Sequence, residues 1–243
     1  MKAAVDLHIH SALSPCADDD MTPNNIVNMA RLKGLDAIAI TDHNSCDNVE
    51  AAMAAAANTA AAGGYALSRP RSILVVPGME VQTREEIHLL CYFTGLDDLY
   101  RFDEMVRAHM KPIANVPDIF GRQLIFNEKD EITGERSESL ITSLTFSLEE
   151  AVDAALSCSG AVVPAHINRP SFSIISQLGF LPPNFHFRTF EFSQEYPIDM
   201  KQYAGYKMIT SSDAHYLGDI LERNVYIYLE NMSLNDIYGH LML

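Results

Sequence analysis

The segment Asp6-Leu7-His8-Ile9-His10 constrains this chain more than any other. Val5, Leu7 and Ile9 alternate with Asp6, His8 and His10, so an extended strand sends both imidazoles to one face, close enough to share a cation. Three later fragments carry donors of the same kind: Thr41-Asp42-His43, Glu80 with His88, and Ser212-Asp213-Ala214-His215. A solvated surface strand would account for the first pair of histidines alone. It does not account for four groups of imidazoles and carboxylates.

Length and composition set the frame for those groups. The chain has 243 residues and is 48% hydrophobic, enough for a substantial core. Barrels of ~200–250 residues commonly form one unit, and no linker or change of composition divides this chain, so residues 1–243 are expected to form a single domain. No apolar run reaches the ~20 residues that span a bilayer, and no basic segment followed by an apolar one opens the chain. The expected compartment is the cytoplasm, with no membrane partner. Cys16, Cys46, Cys91 and Cys158 are scattered without a C-x-x-C pair, which speaks against a disulfide scaffold or a thiolate metal site. Cys16 and Cys46 lie near the histidine motifs and are read as small packing residues. The net charge of −15 repels phosphate backbones, so broad nucleic-acid binding is not expected.

Strands alternate with helices along most of the chain, predicting an α/β fold with a largely parallel sheet. Thr22-Pro23 reads as a cap and first residue of a helix to about Lys33, ended by Gly34. Leu35 to Ile40 is a buried strand with Thr41-Asp42-His43 at its carboxyl end, the place where barrels and open α/β sheets put their chemistry. An alanine-rich helix runs from Val49 to Ala62 and closes at Gly63-Gly64. Further strands are expected over Ser72 to Val76, Glu86 to Phe93, Gly160 to Ala165, Phe187 to Phe192, Tyr206 to Thr210 and Asn224 to Leu229. Helices are expected from Leu96 to about Lys111, from a capping box at Ser147 and Glu150 to about Cys158, and from Ser233 to about His240. Residues 121–136 break the rhythm and read as a small hairpin insertion, placed to cover the site or to mediate assembly. His166-Ile167-Asn168-Arg169 follows a strand, and Arg169 is the conspicuous cation beside a candidate ligand.

In this order His8-Ile9-His10, Thr41-Asp42-His43, Glu80 with His88, His166 and Asp213-Ala214-His215 resemble the motifs of the PHP (polymerase and histidinol phosphatase) family, across nearly the whole chain. The resemblance implies a distorted, TIM-like (β/α)7 barrel with up to three divalent ions at the carboxyl end of its strands. His8, His10, Glu80 and Asp213 would hold one ion. Glu80 would bridge to a second, held by His88 and His166. An aspartate after the first motif, His43 and His215 would hold the third. The family's run after the first motif is longer here and lacks its glycine. Aligning on Thr22-Pro23 selects Asp18, with Asp19 and Asp20 as alternatives. Asp42 is read as a partner that orients a ligand.

The donor chemistry points the same way. Imidazole mixed with carboxylate suits zinc, manganese or iron(II). So many donors exceed the needs of one ion, and two or three are expected. Ions ~3.5–4 Å apart, bridged by a carboxylate, share a hydroxide and clamp an in-line displacement at phosphorus. The expected activity is hydrolysis of a phosphoester in a small metabolite or nucleotide, a short oligonucleotide being within range. Arg169 would neutralise phosphoryl oxygens, Asn168 would donate a hydrogen bond, and His215 is a candidate acid for the leaving group. The competing readings are amide or lactone hydrolysis on a related binuclear barrel, and a non-catalytic metal-binding module.

Overall fold

A computed structural model of the protein describes residues 1–58, 72–182 and 187–242. Its main sheet has six strands in the order β10 (Tyr226–Tyr228), β1 (Lys2–Ile9), β2 (Ala37–Ile40), β3 (Leu74–Gln82), β4 (His88–Tyr92) and β7 (Ala161–Pro164). A parallel pair, β8 (Thr189–Glu191) and β9 (Lys207–Ile209), continues the wall. Single backbone contacts join it to the sheet: Ile167 N–H donates to Glu191 O at 2.9 Å, and Ile9 bridges to Ala214. The result is a distorted barrel of seven strands, with β10 added outside against the start of β1.

The sheet is mixed, where a largely parallel one was expected. β1, β2 and β3 run parallel, but β4 is antiparallel to both β3 and β7. The cause is a short connection. Only residues 83–87 separate β3 from β4, too few for the crossover that parallel neighbours need. Strand β3 also extends beyond the apolar run, through Pro77 and Gly78 to Gln82. Pro77 contributes its carbonyl, which accepts from Phe93 N–H at 2.9 Å, so its missing N–H costs no ladder bond there.

Helix α1 (Pro23–Leu32) starts as expected, with the Thr22 side chain accepting from Asn25 N–H. Helix α2 (Val49–Ala57) begins at Val49; the expected extension to Ala62 and the Gly63-Gly64 closure lie outside the described residues. Helices α3 (Leu96–Ala108) and α5 (Leu148–Ser157) follow the predicted segments, and α5 has its full Ser147–Glu150 capping box. Two short helices, α4 (Pro117–Phe120) and α6 (Ile174–Leu178), were not anticipated. Helix α7 (Leu234–Met242) packs Ile237 and Leu241 into the inner cluster of Val5, Leu7, Leu90 and Val163. Its backbone meets the amino ends of β8 and β9, where Leu241 O accepts from Thr189 and His240 O from Lys207. That end of the barrel is therefore closed. No helix among the described residues is long and apolar enough to cross a membrane.

The insertion is a hairpin of β5 (Leu124–Phe126) and β6 (Ile132–Glu135). It is tied to the loops beside the site: Leu124 N–H donates to Ala12 O at 2.8 Å, and Asn48 bonds both Leu124 O and Phe126 N. At its tip Asp130 accepts from Thr22 and Asn24 at the start of α1. The hairpin thus buttresses the segment that follows β1.

Gly78 sits where three strands converge. A Cβ there would lie 2.9 Å from Thr41 Cγ2 and 3.3 Å from both Ile40 O and Tyr92 Cδ1. Gly78→Ala is expected to lower stability by ~1–3 kcal/mol through overpacking, read as a shifted urea midpoint at unchanged helical content. An unshifted midpoint would show that the wall relaxes freely.

Candidate metal centre

The strand ends deliver their side chains to one pocket opposite α7. On β1 the simple alternation fails: Val5 and Leu7 face the inner cluster while Ile9 joins the outer one. The pairing with β2 shifts register between Asp6 and Ile9, and this irregularity keeps His8 and His10 directed inward. His8 Nε2 and His10 Nε2 lie 3.1 Å apart. Asp213 Oδ1 is 3.4 and 3.2 Å from them, and Glu80 oxygens are 3.3 and 3.5 Å away. Glu80 Oε1 also faces His88 Nδ1 at 3.0 Å and His166 Nε2 at 3.3 Å, while Oε2 faces His43 Nδ1 at 3.0 Å. The donors fall into overlapping groups: His8 with His10 and Asp213, His43 with Glu80 and His88, and His10 with His43 and His215.

The outward nitrogens explain why the inward ones carry lone pairs. His8 Nδ1 bonds Glu191 at 3.0 Å, and His88 Nε2 bonds Gln82 Oε1 at 3.2 Å. His10 Nδ1 donates to Ser14 Oγ at 2.9 Å, and that hydroxyl donates on to Asp42 at 2.7 Å. His215 Nδ1 donates to the Asp213 carbonyl at 2.8 Å. In these four rings the protons are held outside, so their inner atoms are acceptors facing acceptors. Both Glu80 oxygens, His43 Nδ1, His88 Nδ1 and both His166 nitrogens are buried without a hydrogen-bond partner. So many unpartnered buried polar atoms converging on one volume would be costly in a pocket that holds no cation. The residues fit a divalent metal.

Charge reinforces the geometry. Burial pushes the His8 pKa down, but Glu191, Asp213 and Glu80 outweigh it and hold it well above the usual range. Burial would raise the Glu80 and Asp213 carboxyls, yet the imidazoles around them hold both well below the ordinary value. The pocket favours positive charge at its centre, whether a proton or a metal ion supplies it. Burial takes His88 down to about 4, so its ring is neutral and able to coordinate at pH 7. His166 and Asp213 occupy left-handed backbone, at φ 29° and 53°, strain of the sort retained where a side chain must be aimed.

The family model of the PHP domain matches residues 6–167, the part that holds all but two of these donors. The chain belongs to the PHP domain family. No match was found among curated proteins. Among solved structures, the PHP chain is similar to the lesion-specific endonuclease PfuEndoQ of Pyrococcus furiosus, at 18% identity and TM-score 0.69, covering 100% of this chain and 56% of that one. This chain thus spans little more than half the length of that endonuclease. A two-domain Bacteroides vulgatus protein containing a predicted PHP-like metal-dependent phosphoesterase matches at 17% identity and TM-score 0.56, over 100% of this chain and 63% of the other. An amidohydrolase from Chromobacterium violaceum with bound sulfate matches at 20% identity and TM-score 0.57, over 95% and 93%. The donor set of this PHP domain is one that could hold divalent metal ions.

Around the PHP donors, the expected partners divide. Asp42 orients His10 through Ser14 and also accepts from Ser11 N–H and Oγ at 2.7 and 2.6 Å. Arg169 reaches the rim, where Nη1 donates to Asp213 Oδ2 at 3.0 Å. Asn168 does something other than expected. Its amide nitrogen donates to Ser193 O and Tyr196 O and its oxygen accepts from Ser193 N–H, so it ties down the loop after β8 and has no donor to spare for a ligand. Asp18, Asp19 and Asp20 are exposed and fall in none of the three groups. Asp18 instead accepts from Asp20 N–H at 2.9 Å. Cys16, read from the sequence as packing, is exposed with its thiol against His43 and His215. Cys46 is buried.

Glu191 and Gln82 were given no role from sequence. The single available signal for Glu191 was its position at a strand end. Glu191 also accepts from His166 N–H at 3.0 Å, so one buried carboxylate orients two donors. Glu191→Gln is expected to weaken divalent-metal affinity ~10–100-fold, measured by competition with a chromophoric chelator. Equal affinities for the variant and the parent chain would remove Glu191 from that role.

Proposed function

We propose that this PHP domain is a phosphoesterase that hydrolyses a small phosphorylated metabolite or nucleotide with two or three divalent ions, zinc, manganese or iron(II). The observation that carries the reading is Glu80, buried with both oxygens unpartnered among His8, His43, His88 and His166, beneath a rim that bears Arg169. His8, His10, Glu80 and Asp213 would hold one ion, and Glu80, His88 and His166 a second. His43 and His215 would contribute to a third. When bound, such ions supply Lewis acidity toward phosphoryl oxygens and a nucleophile at neutral pH.

The protein's own groups do the rest. Arg169 is partly exposed and uses one nitrogen on Asp213, leaving guanidinium N–H groups to bind a phosphate on the open side. Asp213 divides its oxygens, Oδ1 toward His8 and His10 and Oδ2 toward Arg169, and this closeness to the donor cluster supports reading Arg169 as the phosphate-binding cation. His215 commits its Nδ1 proton to the Asp213 carbonyl, so its remaining nitrogen serves as a ligand rather than as the leaving-group acid. Asn168 fixes the loop 193–196 that borders the same rim as Arg169 and Asp213.

Likeness to endonuclease Q favours a second reading, a nucleic-acid substrate, against which the net charge of −15 stands. A panel of phosphorylated metabolites, mononucleotides, an abasic duplex and simple amides, each tried with zinc, manganese and iron(II), separates these readings. Turnover confined to the duplex or to the amides would overturn the proposal. His43→Ala and Asp213→Asn are expected to lower turnover ~100-fold or more while circular dichroism stays unchanged. Arg169→Ala is expected to cost ~100-fold in kcat/KM, about the effect of removing one donor to a developing oxyanion. Unchanged rates in these variants would count against the site.

A further inference from the structure

The loop after β1 brings a thiol to the place where an acidic ligand was expected. Three contacts fix its path: Ala12 N–H donates to Met21 O at 2.9 Å, Ala17 N–H to Ser14 O at 2.9 Å, and Asp18 N–H to His215 O at 3.0 Å. The last of these presents the Asp18 backbone to the site while its carboxylate turns away to Asp20 N–H. Cys16, two residues earlier, has its thiol against both the His43 and the His215 imidazoles. All three line one cavity with Glu80, His88, Arg169 and Asp213. Independently of the cysteine, His43 is only 7% exposed and turns Nδ1 to Glu80 Oε2 at 3.0 Å, leaving Nε2 as its other possible donor atom. Donor atoms of His10, His43 and His215 also lie within 4.8 Å of one another. The other three cysteines are buried, away from this contact.

Building on the metal-centre reading above, we propose that Cys16 is a metal ligand which, with His43 and His215, forms a thiolate–imidazole position at the rim of the centre. On ligation the thiol gives its proton to solvent and the sulfur lone pair forms the bond to the ion, with no change of oxidation state. A soft sulfur donor in place of a carboxylate oxygen biases this position toward zinc over manganese. The remaining positions, built from imidazole and carboxylate alone, carry no such bias. The centre is then chemically unequal, with one zinc-selective place beside less selective ones.

The test uses the full chain, stripped with a chelator and reloaded with zinc or cobalt(II). Cys16 is the exposed thiol, so iodoacetamide should modify one cysteine in the stripped protein, and zinc should slow that reaction at least tenfold. The cobalt form should show a near-ultraviolet thiolate-to-cobalt charge-transfer band that Cys16→Ser abolishes. By elemental analysis Cys16→Ser should retain one zinc fewer than the parent chain. Cys16→Asp should recover that equivalent when manganese is supplied, and Asp18→Asn should lose none. Alkylation unaffected by zinc together with no charge-transfer band, or loss of the equivalent in Asp18→Asn, would overturn the assignment of Cys16 alone. Failure to bind any divalent ion would overturn the metal centre itself, so the two failures are distinguishable.

Discussion

Glu80 is the constraint on which the centre depends. Its carboxylate is buried, carries no hydrogen-bond donor on either oxygen, and faces nitrogens from four separate segments. A buried ion in that condition is tolerable only where positive charge neutralises it. The same carboxylates that hold His8 well above its usual pKa therefore also create the demand for a cation. Much of the barrel serves that demand. Glu191, Gln82 and the Ser14–Asp42 pair occupy the outer nitrogens of three rings, so that proton placement and ring direction are settled before any ligand arrives.

The departures from an ideal barrel fall where they help the centre. The short turn between β3 and β4 reverses a strand and sets His88 opposite Gln82 in register, so the residue that orients the ring is its cross-strand neighbour. The register irregularity on β1 turns His8 inward just beyond Leu7, which packs in the inner cluster. Left-handed backbone at His166 and Asp213 does the same at the two remaining corners. Each local irregularity redirects a side chain that regular geometry would send elsewhere.

The parts of this arrangement legible in the sequence were those set by local pattern. Thr22-Pro23, the Ser147–Glu150 box and the apolar runs each specify an element through neighbours a few residues away, and those elements are present. The donors at strand ends were legible for a related reason, since a polar residue beyond a buried strand has few places to go. Strand direction was not legible, because it depends on connection length rather than on periodicity, which a parallel and an antiparallel strand share. The roles of Glu191 and Asn168 were hidden as well. A lone carboxylate or amide has no spacing signature, and its partners lie far away in the chain. Cys16 was misread because cysteine is ordinarily a small buried residue, and only the path of its loop shows it exposed beside two imidazoles.

The donors run from His8 to His215, drawn from both ends of the chain and from several strands between. An ion held there ties together segments that a peptide backbone alone would leave to find one another. Like a disulfide across a long loop, it penalises the disordered ensemble more than the ordered one, although the cost of closure grows only slowly with the span enclosed. The donors proposed to hold metal would therefore also act as a long-range crosslink, and removing the metal would erode the barrel's cohesion.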